Sequence, residues 1–153
     1  MGKKEHKIIG YAGELVAAAK LTELGYYVGV INKDAPGIDI LVSNGKAAKM
    51  IQVKTTKTGK PVWVCQKPEV INSNIVYIFV GLNDDAPNFF HIASSKEVLK
   101  TIEKTEEYDT KKYEEKNNKK RPQTDRGVPH FVDVNGRFKN KWKNIGLPIE
   151  KTD

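Results

Sequence analysis

Residues 74–82, with the sequence NIVYIFVGL, form a nearly unbroken apolar run that constrains the fold more than any other segment. The Ile, Val, Tyr and Phe content of this run is typical of a β-strand, and a strand without polar alternation needs cover on both faces. Helices packed on the two sides of a sheet supply such cover. At 153 residues, 39% of them hydrophobic, the chain can build one such layered unit. We therefore predict a single α/β domain spanning residues 1–153.

Hydrophobic patterning and turn residues predict the elements around this strand. Helices are predicted over residues 9–24, ended by Gly25, and from residue 96 to about 104, capped by Ser94 or Ser95. Strands are predicted over residues 26–31, 38–43, 48–56, 62–65, 74–82 and 89–93. The turn formers at 32–37 separate the first two strands, and Asn44-Gly45 predicts a hairpin between the next two.

The C-terminal third is predicted from its composition. Residues 105–127 are highly charged and poor in apolar side chains, so we expect parts of this stretch to be mobile. Apolar residues return within 128–150, and we expect this segment to pack back on the body. The sequence has no run near the ~18 apolar residues of a membrane helix and no secretory signal. With one cysteine, Cys65, and hence no internal disulfide, a cytoplasmic protein without membrane association is expected.

Basic residues are concentrated near the C-terminus. The net charge is +7, from 26 Lys and Arg against 19 Asp and Glu, which suits a polyanionic partner as well as an ordinary solubilising surface. The polar residues upstream, described below, favour nucleic-acid contact. The candidate nucleic-acid contacts lie between residues 116 and 143 or in the loop after the third strand. They are Lys57, Lys60, Lys119, Lys120, Arg121, Arg126, Arg137, Lys139, Lys141 and Lys143.

Glu14 is the first candidate site residue. At 100° per residue, Tyr11, Ala18 and Leu21 lie within about 60° of it, which places Glu14 at the centre of the apolar face of the first helix. Burying a carboxylate without a partner costs several kcal/mol. Glu14 is therefore either a structural acid, bonded to backbone or to a lysine, or it points into a functional site.

Three further polar side chains converge on the hairpin. Because strand residues alternate between faces, Asp39, Gln52 and Lys54 point away from the apolar faces of their strands. A four-residue loop at 44–47 places Asp39 opposite Gln52, and a two-residue loop shifts the pairing but keeps the face. Asp39 and Glu14 offer the anionic oxygens that Mg²⁺ prefers, and Gln52 offers an amide oxygen. Lys54 can hold a phosphate or the attacking water. For Asp39 and Lys54 taken by themselves, a cross-strand ion pair is the alternative.

The segments GELVAA at 13–18, PGIDILV at 36–42 and IQVKT at 51–55 resemble the PD-(D/E)XK nuclease superfamily, which has the restriction endonuclease-like fold. The small resolvase-like and homing-endonuclease-like members are especially similar, over roughly residues 10–56. The resemblance implies an α-β-β-β-α-β core with a central mixed sheet flanked by helices. It also implies Glu14, Asp39, Gln52 and Lys54 as the catalytic residues. The implied reaction is hydrolysis of DNA phosphodiester bonds with Mg²⁺ or Mn²⁺ held by Asp39, Glu14 and Gln52.

The sequence departs from the family pattern in two places. Two residues separate Pro36 from Asp39, and Gln52 stands where an Asp or Glu is usual, so the metal would receive less negative charge. The first hypothesis is a metal-dependent DNA endonuclease, acting as a homodimer or higher homo-oligomer because cutting both strands needs two sites. The second is a non-catalytic nucleic-acid-binding module on a degenerate nuclease fold. The third treats the polar cluster as an ion-pair network of an interaction or immunity protein.

Histidines and tryptophans carry weaker signals. His6, His91 and His130 are scattered without metal-ligand spacing, so surface or packing roles are predicted for them. Trp63 and Trp142 are predicted to pack in the core or at its rim rather than to stack on bases.

Overall fold

The computed structural model describes residues 2–31 and 36–150, and it confirms an α/β fold with a mixed central sheet flanked by helices. The part of the predicted turn at 32–35 lies outside the described residues. The helices are α1 (Lys3–Glu23) and α2 (Ser95–Asn117). The strands are β1 (Tyr27–Val30), β2 (Ile40–Ser43), β3 (Ala48–Thr56), β4 (Val62–Val64), β5 (Ile75–Gly81), β6 (Phe89–Ser94) and β7 (His130–Val132). Short 3₁₀ turns occupy Gln123–Asp125 and Trp142–Ile145.

The central sheet has five strands in the order β1-β2-β3-β5-β6. β3 and β5 are parallel, and the other neighbouring pairs are antiparallel. β4 and β7 form a separate two-stranded antiparallel sheet. Within the described ranges, no helix combines the length and the apolar character needed to cross a membrane.

β5 is buried on both faces, as its unbroken apolar run predicts. Val76, Ile78 and Val80 point to the first face, where they pack in one core with Ala17 and Leu21 of α1. On the second face, the neighbouring residues of β5 enter another core together with α2, β4 and β7. The large side chains of that core are Trp63, Tyr77, Phe79, Val98, Ile102 and Phe131.

Gly13 sets how closely α1 approaches the sheet. A Cβ atom built on Gly13 would stand 2.7 Å from Cγ2 and 2.8 Å from Cβ of Thr55 in β3, and closer still to its hydroxyl. Glycine therefore lets the helix backbone lie directly against the strand. The helix begins at Lys3, earlier than predicted, since the backbone N–H of Gly2 donates to the Glu5 carboxylate at 2.8 Å and residues 3–8 continue as an exposed helical segment.

α2 is longer than the ten or so residues predicted. The Ser94 hydroxyl accepts a hydrogen bond from the Glu97 N–H at 3.2 Å, and the Glu97 carboxylate accepts one from the Ser94 N–H at 2.8 Å. From this capping box the helix runs to Asn117, so half of the charged stretch 105–127 is helical. Its Glu and Lys residues favour helix, which explains why low apolar content did not end the element.

The element order differs from α-β-β-β-α-β at one connection. β3 reaches its parallel neighbour β5 through residues 57–74, which are all described and contain β4 but no helix. Pro61 and Pro68 interrupt this segment and remove backbone donors that a helix needs. The helix of the second face, α2, follows β6 instead.

The C-terminal segment packs back on the body across the first face. The Tyr26 hydroxyl donates to the backbone oxygen of Leu147 at 2.7 Å, and Ile145 and Leu147 are buried in the first-face core. The Asn144 amide donates to the backbone oxygen of Ile92 at 2.7 Å. The edge of the sheet at β6 is therefore occupied by this segment.

Candidate active site

The β2–β3 hairpin has the four-residue loop that places Asp39 opposite Gln52. The Asn44 N–H donates to the Ala47 oxygen at 3.2 Å, and the register pairs Ser43 with Ala48 and Ile40 with Ile51. Continued by one residue, this register sets Asp39 beside Gln52. Gln52 and Lys54 are half-buried on the second face, whereas Ile51 and Val53 are buried in the first-face core. The predicted alternation along β3 is confirmed.

Asp39 is fixed at the point where β2 separates from β3. Its backbone carbonyl accepts a hydrogen bond from the Ile31 N–H, and its own N–H donates to the Ile51 carbonyl, each at 2.9 Å. The carboxylate oxygen Oδ2 accepts a hydrogen bond from the Val53 N–H at 2.7 Å, taking the place of a strand carbonyl. Within residues 2–31 and 36–150, the other oxygen, Oδ1, makes no hydrogen bond.

Gln52 and Lys54 flank Val53, so they lie on either side of the residue that anchors the Asp39 carboxylate. Burial raises the pKa of the nearby Cys65 thiol to about 11, and the Lys54 ammonium acts in the opposite direction. The parallel register places Tyr77 of β5 next to Gln52. Burial also raises the pKa of Tyr77, to about 12, with a smaller contribution from Cys65. Lys54 therefore lies near Cys65 and Tyr77, two residues for which the sequence predicted no role in the site.

Glu14 approaches from the other side of the sheet. It follows Gly13, which contacts Thr55 on the first face, whereas Gln52 and Lys54 point to the second face. A site that includes both groups would have to lie where the β2–β3 pairing ends, next to Asp39. The buried residues of α1 are Gly13, Ala17, Ala18 and Leu21, and small residues among them permit close packing. At 100° per residue Glu14 falls between Leu21 and Ala18, so it lies on the buried face as predicted, and it is half-buried there.

The donor set suits a hard divalent cation. The register sets Asp39 opposite Gln52 across the hairpin, so a carboxylate and an amide are carried by facing positions, and Glu14 is the second carboxylate of the predicted set. Mg²⁺ binds oxygen ligands and keeps several waters, so two or three protein oxygens are sufficient. Among the described residues, no three His, Cys, Asp or Glu side chains form a cluster that could hold a metal without the amide. The candidate set therefore includes the Gln52 amide, as the sequence predicts.

The predicted nucleic-acid contacts fall in three separate places. Lys57 and Lys60 follow β3, where Lys57 pairs with Asp84 at 3.1 Å. Lys119, Lys120, Arg121 and Arg126 follow α2, and Arg121 is half-buried there, donating to the Asp125 carbonyl at 3.1 Å. Arg137, Lys139, Lys141 and Lys143 lie in the segment along the outer edge of β6, three strand positions and about 14 Å from β3. The structure does not gather these residues around Asp39.

His91 is a packing residue, as predicted, and it belongs to a buried pair. It is 2% exposed on β6, and its Nδ1 lies 2.6 Å from the Asp133 carboxylate. Asp133 also accepts hydrogen bonds from the backbone N–H groups of Arg137 and Phe138, at 2.9 Å and 2.8 Å. Burial lowers the pKa of His91, and the contact with Asp133 offsets this only in part. The pair ties the turn after β7 to the edge of the central sheet.

We predict that acid destabilises the fold through His91. Its pKa in the folded chain lies below its ordinary value of 6.5, so the unfolded chain binds the proton first as the pH falls. The stabilisation is complete above the unfolded pKa and is lost as the pH falls through the folded pKa. The melting temperature should fall between about pH 7 and pH 5. The slope should be smaller in His91→Gln, which keeps a donor for Asp133 but does not titrate. Parallel pH profiles for the two proteins would contradict this prediction.

Comparisons with known proteins give a structural likeness but no family. No protein-family model and no curated protein matches the sequence. Among solved structures, the chain is similar to a bacterial homing endonuclease. That protein is I-Ssp6803I, with 16% sequence identity and a TM-score of 0.44, over 59% of this chain and 69% of that one. The function of this chain is therefore inferred from its own residues.

Proposed function

We propose that this chain is a metal-dependent DNA endonuclease. The observation that carries the proposal is the Asp39 carboxylate between Gln52 and Lys54, whose Oδ2 is held by the Val53 N–H and whose Oδ1 makes no hydrogen bond within the described residues. Phosphodiester hydrolysis needs cation ligands and a positive charge beside the phosphate. The point where β2 and β3 separate offers a carboxylate, an amide oxygen and a lysine for these roles. The same residues carry the resemblance to the PD-(D/E)XK nucleases.

Each residue has a distinct role in this proposal. Asp39 Oδ1, the Gln52 amide oxygen and the Glu14 carboxylate hold Mg²⁺ or Mn²⁺. The bound ion supplies Lewis-acid polarisation of the phosphate and a water of lowered pKa. The hydrogen bond from the Val53 N–H to Oδ2 holds the Asp39 carboxylate in one orientation, so Oδ1 is already oriented before the ion binds. Lys54 donates to a phosphate oxygen and stabilises the negative charge that develops in the transition state.

The net charge of +7 supports DNA as the substrate. Contacts between lysines or arginines and phosphates release counterions, so binding should weaken steeply as salt increases. A single site cuts one strand at a time, and we propose a homodimer or higher homo-oligomer for cleavage of both strands.

The test is nicking of supercoiled plasmid by the full chain. We expect relaxed and linear products with Mg²⁺ or Mn²⁺ and none with EDTA. Lys54→Met should reduce the rate by about 10²–10³-fold, the usual cost of removing one group that stabilises transition-state charge. Lys104→Met, at an exposed lysine of α2, is the matched control and should cut like the wild type. Intact plasmid at every metal concentration, with the protein bound to it, would refute the endonuclease.

That outcome would instead support a second candidate, a nucleic-acid-binding module without catalysis. The neutral Gln52 favours it, because an amide leaves less negative charge on the ion than the usual carboxylate. Such a module would retard DNA in gels without metal and leave it uncut. The same plasmid assay therefore separates the two functions.

A further inference from the structure

One half of the second face of the sheet has exposed apolar side chains. α2, β4 and β7 pack over β5 and β6, but Tyr27 of β1 is 71% exposed and Leu41 of β2 is 48% exposed. With the half-buried Met50 of β3, these residues form an apolar strip. We propose that the apolar strip binds unpaired bases of a nucleic-acid strand, so that substrates with a single-stranded portion are preferred. This inference rests on the proposed function and names its substrate class.

The strand register makes the strip continuous. Leu41 pairs with Met50 on one side and with Gly29 on the other, so no side chain rises between β1 and β2 in this row. Tyr27 pairs with Ser43 in the next row. Its ring leans on the hairpin turn, where a Cβ added to Gly45 would stand 3.5 Å from Cε2. The strip is therefore a continuous apolar surface that ends at the ring of Tyr27.

The strip adjoins the candidate active site. The row that follows Leu41 and Met50 holds Asp39 and Gln52, and Tyr27 lies two rows away from it, about 13 Å along the strands. At the ~3.4 Å rise of a stacked strand, this distance corresponds to about four nucleotides. A strand with its scissile phosphate at Asp39 therefore places nearby bases on the strip.

Chemistry selects unpaired bases as the occupant. Lys54 beyond one end of the strip and Lys46 in the hairpin loop at the other end complement phosphates. The exposed Lys46–Glu150 pair is weak enough to exchange its partner. A duplex presents phosphates and base edges, whereas the faces of its bases are stacked on one another. Aromatic and apolar side chains bind base faces, which only an unpaired strand exposes.

A second copy of the chain fits this surface less well. A stable interface buries about 800 Å² on each partner, which three side chains, one of them half-buried, do not provide.

The test is fluorescence anisotropy of labelled oligonucleotides in EDTA, which separates binding from cleavage. The wild type should bind a single strand, or a duplex with a single-stranded flap, at least about 10-fold more tightly than a blunt duplex. Tyr27→Ala should weaken flap binding by about 5- to 100-fold, the range for losing one stacked base. Tyr27→Phe should restore it. Tyr108→Ala, at a 64% exposed tyrosine of α2, is the matched control and should bind like the wild type.

Equal affinity for blunt and flapped duplexes, or equal effects of Tyr27→Ala and Tyr108→Ala, would overturn the inference. A dimer that Tyr27→Ala dissociates, measured by light scattering, would assign the strip to a second copy and also overturn it. Because binding is measured without metal, the binding result can be interpreted even if the protein does not cleave DNA. Flap preference that depends on Tyr27 supports the inference even if the plasmid is never cut.

Discussion

Asp39→Asn should reduce metal-dependent DNA cleavage by about 10²–10³-fold or more while the protein stays folded. The asparagine amide oxygen can still accept the hydrogen bond that Val53 now donates to Oδ2 at 2.7 Å. The substitution removes the negative charge of the carboxylate. A divalent cation depends strongly on this charge because the other proposed ligand on the hairpin, Gln52, is already neutral. The substitution therefore separates the electrostatic role of Asp39 from its structural role.

The measurement is the initial rate of plasmid nicking across a Mg²⁺ titration, with melting temperatures recorded for each variant. Asp39→Ala should lose cleavage and also stability, because the N–H of the buried Val53 is left without its acceptor. Asp85→Asn, an exposed aspartate in the loop after β5, removes the same charge far from the hairpin and should cut normally. Wild-type rates in Asp39→Asn at saturating Mg²⁺ would remove Asp39 from the metal site.

Local patterns were sufficient for the hairpin and for β5. Asn44-Gly45 marks a tight turn, and the period-two alternation on both sides fixes which residues of β3 face each way. Once the loop length is four, the pairing of Asp39 with Gln52 follows without knowledge of the rest of the chain. The apolar run of β5 similarly requires two covering layers, and the structure supplies α1 on one face and α2 on the other.

The positions of Tyr77 and Cys65 near Lys54 depend on long-range strand pairing, which leaves no local signal in the sequence. Tyr77 reaches Gln52 because β3 and β5 are parallel, after a connection of 18 residues between Thr56 and Ile75. Cys65 arrives from that connection itself. The His91–Asp133 pair joins residues 42 apart in sequence. The sequence could nominate such residues as buried, but the choice of strand neighbour is set by the packing of the whole sheet.

Gly13→Ala should destabilise the protein, although alanine normally stabilises a helix. The added Cβ would overlap the side chain of Thr55 whichever rotamer Thr55 adopts, since the Cβ atom of Thr55 is itself 2.8 Å away. Overpacking of this kind costs about 1–3 kcal/mol, and the gain in helix propensity offsets at most about 1 kcal/mol of it. At about 2–4 °C per kcal/mol for a chain of this size, the melting temperature should fall by several degrees.

Gly10 provides a control on the same helix. A Cβ at Gly10 meets no atom within 4 Å, so Gly10→Ala should keep the full propensity gain and raise the melting temperature. Opposite signs for two glycines one turn apart would show that contact with β3, rather than helix propensity, governs position 13. Because α1 must move away from β3 to accommodate the Cβ, Glu14, the next residue of the helix, would also move away from β3. Gly13→Ala should therefore lose cleavage activity at temperatures well below its melting point, whereas Gly10→Ala should keep it. Full activity in a folded Gly13→Ala protein would show that the position of Glu14 does not matter to the reaction.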